Sequence, residues 1–387
     1  MLSVPDELKR AQEERILYTK VKERPWPGGM KSAEPGADRG APDHRTGGTE
    51  ERMNRKRKWG AALLAAAMAL LGGCGVKPEP EGAGGEPGAA EEQPLVVGFS
   101  QLGAESSWRI ANTASVEAAA KEYGFGLMME NANQKQEKQI DAIRSFIAYR
   151  VDVIVFSPIV ETGWSNVLSE AKQAGIPVIL VDRMIETEEE DLYTAYVGAD
   201  FYAEGVRAGE YLKRKADAEG LDRVRVAEIC GTPDSTPMRD RQRGFLDALA
   251  GDGRFEIVES LNGDFLRSKG EECMNQLLEK YGAGGIDVVY SHNDSMTLGV
   301  LDVLEKNGIA PGKDLILITV DGEKEAVEAL KAGKINCVVQ CTPDLGGDVM
   351  RLVSDLKAGR EIPRITHPQE GAFTDLDDLT DPAVRGF

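Results

Sequence analysis

The chain has 387 residues, 41% of them hydrophobic and 29% charged, which is enough for two domains with cores of their own. A formal net charge of -19 excludes a nucleic-acid binder, because phosphate contact requires clustered Lys and Arg. Five cysteines without a C-x-x-C pair, and only three histidines, argue against a zinc site; no metal or cofactor is expected.

Residues 1–52 do not read as a domain. Gly, Pro and charged residues dominate from about Pro25 onward, and the stretch reads as an upstream mis-start or a disordered or cleaved extension. Met53-Asn54-Arg55-Lys56-Arg57-Lys58 then precedes an apolar run over 59–71 and the small-residue ending Leu71-Gly72-Gly73-Cys74. A basic region, an apolar region and a small-residue cleavage site make 53–73 a secretory signal. The run is short for a bilayer span, although a signal anchor with a chance Cys is a rival reading. Residues 74–94, rich in Gly, Pro, Glu and Ala, lack a hydrophobic period and read as a flexible tether.

From residue 95 apolar runs alternate with helical spacing. Strands are expected at 95–100, 126–130, 151–157 and 176–181, with helices at 107–123, 134–148 and 163–174. A second series places strands at 195–197, 223–229, 255–261, 286–291, 315–320 and 336–340. Its helices fall at 202–215, 239–249, 268–281, 295–307, 325–332 and 345–357. The alternation predicts parallel sheets with crossover helices. Two runs of about five βα units indicate two similar Rossmann-like lobes. A (β/α)8 barrel is the competing architecture; the strand number and the lack of a closing symmetry count against it.

In open α/β sheets ligands sit beyond the carboxyl ends of the strands, against helix N-termini. The first strand is followed by Glu105, Ser106, Trp108 and Arg109. Later strand ends bring Asp182-Arg183, a polar run containing Arg241, then Asn293, Asp321 and Gln340. Carboxylates and amides orient hydroxyls, Arg offers a planar fork, and Trp offers an apolar face to C–H groups. Singly each has a bland explanation: Asn293 and Asp321 as helix caps, Asp182-Arg183 as a local ion pair, Trp108 as a surface aromatic. Asp182 and Asp321 could also form a glycosidase pair. No serine elbow, P-loop or metal-ligand helix is visible, so binding is favoured over catalysis. Cys337 and Cys341, four apart in a β-like run, would lie about 13 Å apart, too far for a disulfide. Buried free thiols are expected.

Several strings carry a family resemblance. Leu-Gly-Gly-Cys ending at Cys74 resembles the lipobox of bacterial lipoproteins, which implies a lipidated Cys74 at the mature N-terminus and Met53 as the start. Ile176-Pro177-Val178 leading to Asp182-Arg183, Asp240-Arg241-x-x-Gly244-Phe245, His292-Asn293-Asp294-x-Met296-x-x-Gly299 and Val320-Asp321-Gly322 resemble the type I periplasmic binding proteins of the ribose-binding group. The opening string through Trp108-Arg109, Gln134-Lys135-Gln136-Glu137 and Gly263-Asp264-Phe265-x-Arg267-Ser268-Lys269-Gly270 are most similar to the galactofuranose-binding branch.

The resemblance implies two lobes, 95–198 plus 342–365 and 199–341 plus 366–387, joined by a three-strand hinge. It implies a monosaccharide clamped between them by Trp108, Arg109, Asp182 and Arg183 on one wall. Arg241, Asn293, Asp321 and Gln340 belong to the other wall or the hinge, with Glu105, Ser106 and Asn133 as further branch-specific positions. Gln340 departs from the branch pattern, which has an acidic residue there, and agrees with the ribose group. The implied protein is a monomeric, membrane-anchored, extracytoplasmic lipoprotein that delivers sugar to an ABC permease. A sugar sensor for a membrane receptor kinase is the alternative; a sugar-responsive repressor would need a helix-turn-helix in place of the lipobox. On this reading Asp182→Ala and Arg183→Ala abolish binding without unfolding the protein.

Overall fold

The computed structural model describes residues 94–387. The signal segment, nearly all of the tether and Cys74 lie outside the described residues. The first series of elements is β1 (Val96–Gln101), α1 (Ser107–Glu122), β2 (Gly126–Asn131), α2 (Gln136–Tyr149), β3 (Val153–Phe156), α3 (Ser165–Gln173), β4 (Val178–Val181) and β5 (Ala195–Val197). The second is α4 (Phe201–Glu219), β6 (Val224–Cys230), α5 (Thr236–Leu249), β7 (Phe255–Asn262), α6 (Arg267–Tyr281), β8 (Val288–Ser291), α7 (Asp294–Lys306), β9 (Ile316–Asp321), α8 (Lys324–Lys331) and β10 (Cys337–Gln340). The chain ends with α9 (Gly346–Lys357), β11 (Ile365–Thr366) and β12 (Ala372–Thr374).

These strands form two open six-stranded sheets, ordered β11-β5-β4-β3-β1-β2 and β12-β10-β9-β8-β6-β7. All pairings within them are parallel except β10 with β12. Central strands such as β3 and β4 are buried on both faces, which is why they read as unbroken Val/Ile/Leu/Phe runs. The order reverses between β1 and β3, and again between β6 and β8. At such points the strand ends open a crevice. Two separate open sheets overturn the barrel alternative.

Three local differences from the sequence expectation have physical causes. Helix α2 begins at Gln136 because Asn133 and Gln134 take left-handed backbone (φ 49° and 59°). Helix α5 begins at Thr236, three residues early, with Pro237 in its first turn, where a missing N–H costs nothing. Strands β11 and β12 were not expected, being too short at two and three residues to show a period.

The chain passes between the sheets three times: after β5, after β10 and between β11 and β12. The passages are tied together. Gly198 N–H donates to the Thr366 carbonyl (3.1 Å), and Gln340 N–H to that of Gly371 (2.8 Å). Thr342 N–H donates to Glu370 Oε1 (2.7 Å). In the second lobe α4 and α5 touch backbone to backbone. A Cβ on Gly205 would stand 2.1 Å from the Arg241 carbonyl oxygen, and one on Gly244 2.1 Å from that of Tyr202. This contact lays the root of Arg241 against α4, while Phe245 on the same helix stacks on Tyr290 at 4.2 Å. The four described cysteines, Cys230, Cys273, Cys337 and Cys341, are buried free thiols, as expected.

Candidate ligand-binding site

The facing strand ends enclose one cavity. Glu105, Ser106, Trp108, Arg109, Asp182 and Arg183 line it from the first lobe, and Pro237, Arg241, Phe265, Asn293 and Asp321 from the second, with Cys341 at a crossover. The lobes stand closed over it. Glu161 N–H donates to the Asp234 carbonyl (3.0 Å), Met184 N–H to Thr236 Oγ1 (3.2 Å), and Arg239 pairs with the Glu161 carboxylate.

The first wall is built around Arg109. Ser106 caps α1 by accepting the Arg109 N–H at 3.2 Å, which sets the helix start and turns Trp108 and Arg109 inward. The guanidinium donates to Glu105 Oε1 (3.0 Å), Asp182 Oδ2 (2.6 Å) and Ser157 Oγ (3.3 Å). Burial opposes its charge, but Asp182 and Glu105 outweigh burial and hold its pKa above the usual value. Asp182 leaves β4 in left-handed backbone (φ 66°), and its carbonyl accepts the Tyr196 hydroxyl at 2.7 Å. Arg183 is the weakly held cation. It donates to the Ile159 carbonyl (3.0 Å) but stays 3.8 Å from Asp182 and 4.0 Å from Glu105. Burial, then repulsion from Arg109, brings its pKa down to about 10. Trp108 donates its indole N–H to the Cys341 carbonyl at 2.7 Å, tying this wall to a crossover.

On the second wall Arg241 donates to Glu204 Oε2 (2.7 Å) and the His292 carbonyl (2.6 Å), and its last nitrogen stands 3.9 Å from Asp321 Oδ1. Asn293 is both cap and wall: Oδ1 accepts the Met296 N–H (3.0 Å) and Nδ2 donates to the Phe265 carbonyl (3.3 Å). Asp321 is no cap. It ends β9 at φ 130°, and burial pushes its pKa well up, with Asp294 and Glu323 adding to the effect and Arg241 opposing it. Three buried atoms in these walls make no hydrogen bond: Glu105 Oε2, Arg183 Nε and Asp321 Oδ2. Buried polar atoms are normally paired, so these are vacant positions for a polar ligand.

Nine of the eleven residues expected at a ligand site thus surround one cavity. Asn133 and Gln340 do not line it. Asn133 is exposed, in a turn where its N–H meets Asn131 Oδ1 (2.8 Å). Gln340 Oε1 accepts the Gly371 N–H (3.0 Å) at the hinge. Sequence reasoning missed Pro237, Cys341 and, above all, Phe265. The Phe265 ring lies over Gly231, where a Cβ would come within 1.9 Å of it, and the Arg183 guanidinium stands 5.4 Å from the ring. Its signal was present in the Gly263-Asp264-Phe265 string, directly after a strand end.

Behind the second wall Cys230 joins Glu228 and His292. Glu228 accepts from Gln242 (2.7 Å) and Ser260 (2.8 Å) and lies 3.0 Å from His292 Nε2. The Gly231 N–H meets His292 Nδ1 at 3.4 Å, so Nε2 carries the proton given to Glu228. Burial lowers the His292 pKa, keeping the ring neutral. Hydrogen bonding accounts for this trio without a cation.

A family model described as a periplasmic binding protein domain matches residues 97–361. The chain belongs to that family. It is a sugar-binding protein of the ABC-importer type and not an enzyme. It is 38% identical over 271 residues to the galactofuranose-binding protein YtfQ of Escherichia coli K12, covering 70% of this chain and 84% of that one. A Mycobacterium smegmatis crystal structure in complex with β-D-fucofuranose is 43% identical with a TM-score of 0.70, covering 73% and 92% of the two chains. The binding component of the Shewanella sp. ANA-3 arabinose ABC transporter, bound to α- and β-L-arabinofuranose, is 38% identical with a TM-score of 0.70, covering 72% and 92%.

Proposed function

We propose that this binding protein captures a monosaccharide in its furanose form, of the galactofuranose or arabinofuranose kind, and hands it to an ABC permease. The observation that carries this reading is the set of unpaired buried atoms of Glu105, Arg183 and Asp321, contributed by both lobes between Trp108 and Phe265. Hydroxyls satisfy these atoms while the aromatic faces cover the C–H side of the ring. Because the groups come from both lobes, sugar binds the closed form better than the open one and shifts the equilibrium towards it. Glu105, Ser106, Trp108, Arg109, Asp182, Arg183, Arg241, Asn293, Asp321 and Phe265 form the sugar site, and Gln340 belongs to the hinge. The furanose preference is supported by the ligands named for the relatives above.

Thermal shift with locked sugars tests it. Methyl β-D-galactofuranoside or methyl α-L-arabinofuranoside should raise the melting temperature, and the matching pyranosides should not. Stabilisation by pyranosides alone would sink the furanose assignment. We further propose that Cys74 is lipidated and anchors the domain to the outer face of the cell membrane. Replacing Cys74 by Ser should abolish incorporation of labelled fatty acid, and label that persists would refute the anchor.

A further inference from the structure

Arg241 has two carboxylates within reach and leans on only one. Glu204, in the first turn of α4, is fully buried and takes Nε at 2.7 Å, while Asp321 stands 3.9 Å away. The His292 carbonyl takes a second nitrogen at 2.6 Å, and the Phe201 ring lies 5.2 Å from the guanidinium carbon. Glu204 does not line the cavity. Its place is fixed by the Gly205–Gly244 contact between α4 and α5. Apart from Glu204, the carboxylate in ion-pair range of the buried guanidinium is Asp321, at 3.9 Å, whose Oδ2 is unpaired.

Resting on the sugar-binding reading above, we propose that Glu204 is a positioning residue that holds Arg241 off Asp321, so that both remain uncommitted until a sugar hydroxyl arrives. A direct Arg241–Asp321 fork would be bidentate and strong. It would close the site by pairing the groups with each other, and a sugar would have to break it.

The test uses the full chain with Glu204→Gln, which removes the charge and keeps the shape. In a crystal structure of this variant the Arg241–Asp321 separation should fall from 3.9 Å to hydrogen-bond range, below about 3.2 Å. In titrations with methyl β-D-galactofuranoside, Kd should rise about tenfold or more. The same change made on an Asp321→Asn background should alter Kd by less than about twofold relative to Asp321→Asn alone, because no carboxylate is left to capture Arg241. Glu204→Asp, which retains the charge, should recover much of the affinity and covers the case in which the Gln variant folds poorly. An unchanged separation, or equal weakening on both backgrounds, would overturn the proposal. Wild-type protein that ignored methyl β-D-galactofuranoside would count against the sugar-binding reading instead, and the crystallographic distance would still decide the role of Glu204.

Discussion

Arg109 and Asp182, 73 residues apart in sequence, share a 2.6 Å ion pair in which both side chains are almost fully buried. The pair is structural as well as ligand-facing. Removing Asp182 leaves the buried Arg109 guanidinium with Glu105 as its one carboxylate partner in a low-dielectric wall. Asp182→Ala should therefore cost about 3 kcal/mol of stability, the low end for a broken buried pair, in addition to abolishing the sugar response. Asp182→Asn, which keeps an acceptor for Arg109, should cost less. Urea denaturation of the three proteins checks the order. This revises the sequence-based expectation that Asp182→Ala would spare the fold.

The helix crossing at Gly205 allows a second expectation. A methyl group there would collide with the Arg241 carbonyl, an unyielding backbone atom 2.1 Å away. Gly205→Ala should lower stability by about 1–3 kcal/mol, as overpacking does, and weaken sugar binding by moving Arg241. Calorimetry paired with sugar titration reads both effects. A variant with reduced stability and intact affinity would show that the crossing does not position the site.

Closure should respond to pH through Glu161. Burial raises its pKa from the usual 4.5 to about 7; Arg239 opposes this, and Asp240, Glu186 and Asp234 add to it. Opening the lobes frees the carboxylate to water and returns it towards 4.5, so closing takes up a proton between those values. The contribution to sugar affinity is fully present below about pH 4.5 and is lost as pH rises through about 7. Comparing the pH profile of Kd for wild type and Glu161→Gln isolates it: the variant profile should be flatter across this window. Identical profiles would remove Glu161 as the titrating group.

The four described thiols should resist alkylation in the native state. Burial pushes Cys230, Cys337 and Cys341 far up and Cys273 up to about 11, so little thiolate forms near neutrality. Mass spectrometry after iodoacetamide should find them unmodified until denaturant is added.

The two-lobed fold was legible because parallel strands buried on both faces leave apolar runs, and each run ends abruptly in polar residues. That contrast exposed Trp108, Arg109, Asp182, Arg183, Asn293 and Asp321. Phe265 was passed over for the opposite reason: although it stood in the Gly263-Asp264-Phe265 string, an apolar residue in a connection reads as core, and its left-handed backbone (φ 62°) leaves no mark on composition. Nothing in the sequence singles out Glu204 from the other charges of its helix. Its burial depends on Arg241, 37 residues away, and on two glycines whose closeness only the folded chain reveals. Asn133 lies off the cavity because a motif fixes a residue's neighbourhood while the backbone turn fixes its direction, and Gln340 sits at the hinge, one of the two places the resemblance implied for it.

The three strapped passages between the sheets also govern how the protein searches for its closed shape. One connection would let the lobes swivel freely; three, cross-linked through Gly198–Thr366, Gln340–Gly371 and Thr342–Glu370, leave little beyond a single bending coordinate. Each wall therefore meets the other at a high effective concentration in a unimolecular step. The entropy of aligning two surfaces is lost once, at folding, and is not charged again to each sugar molecule that arrives.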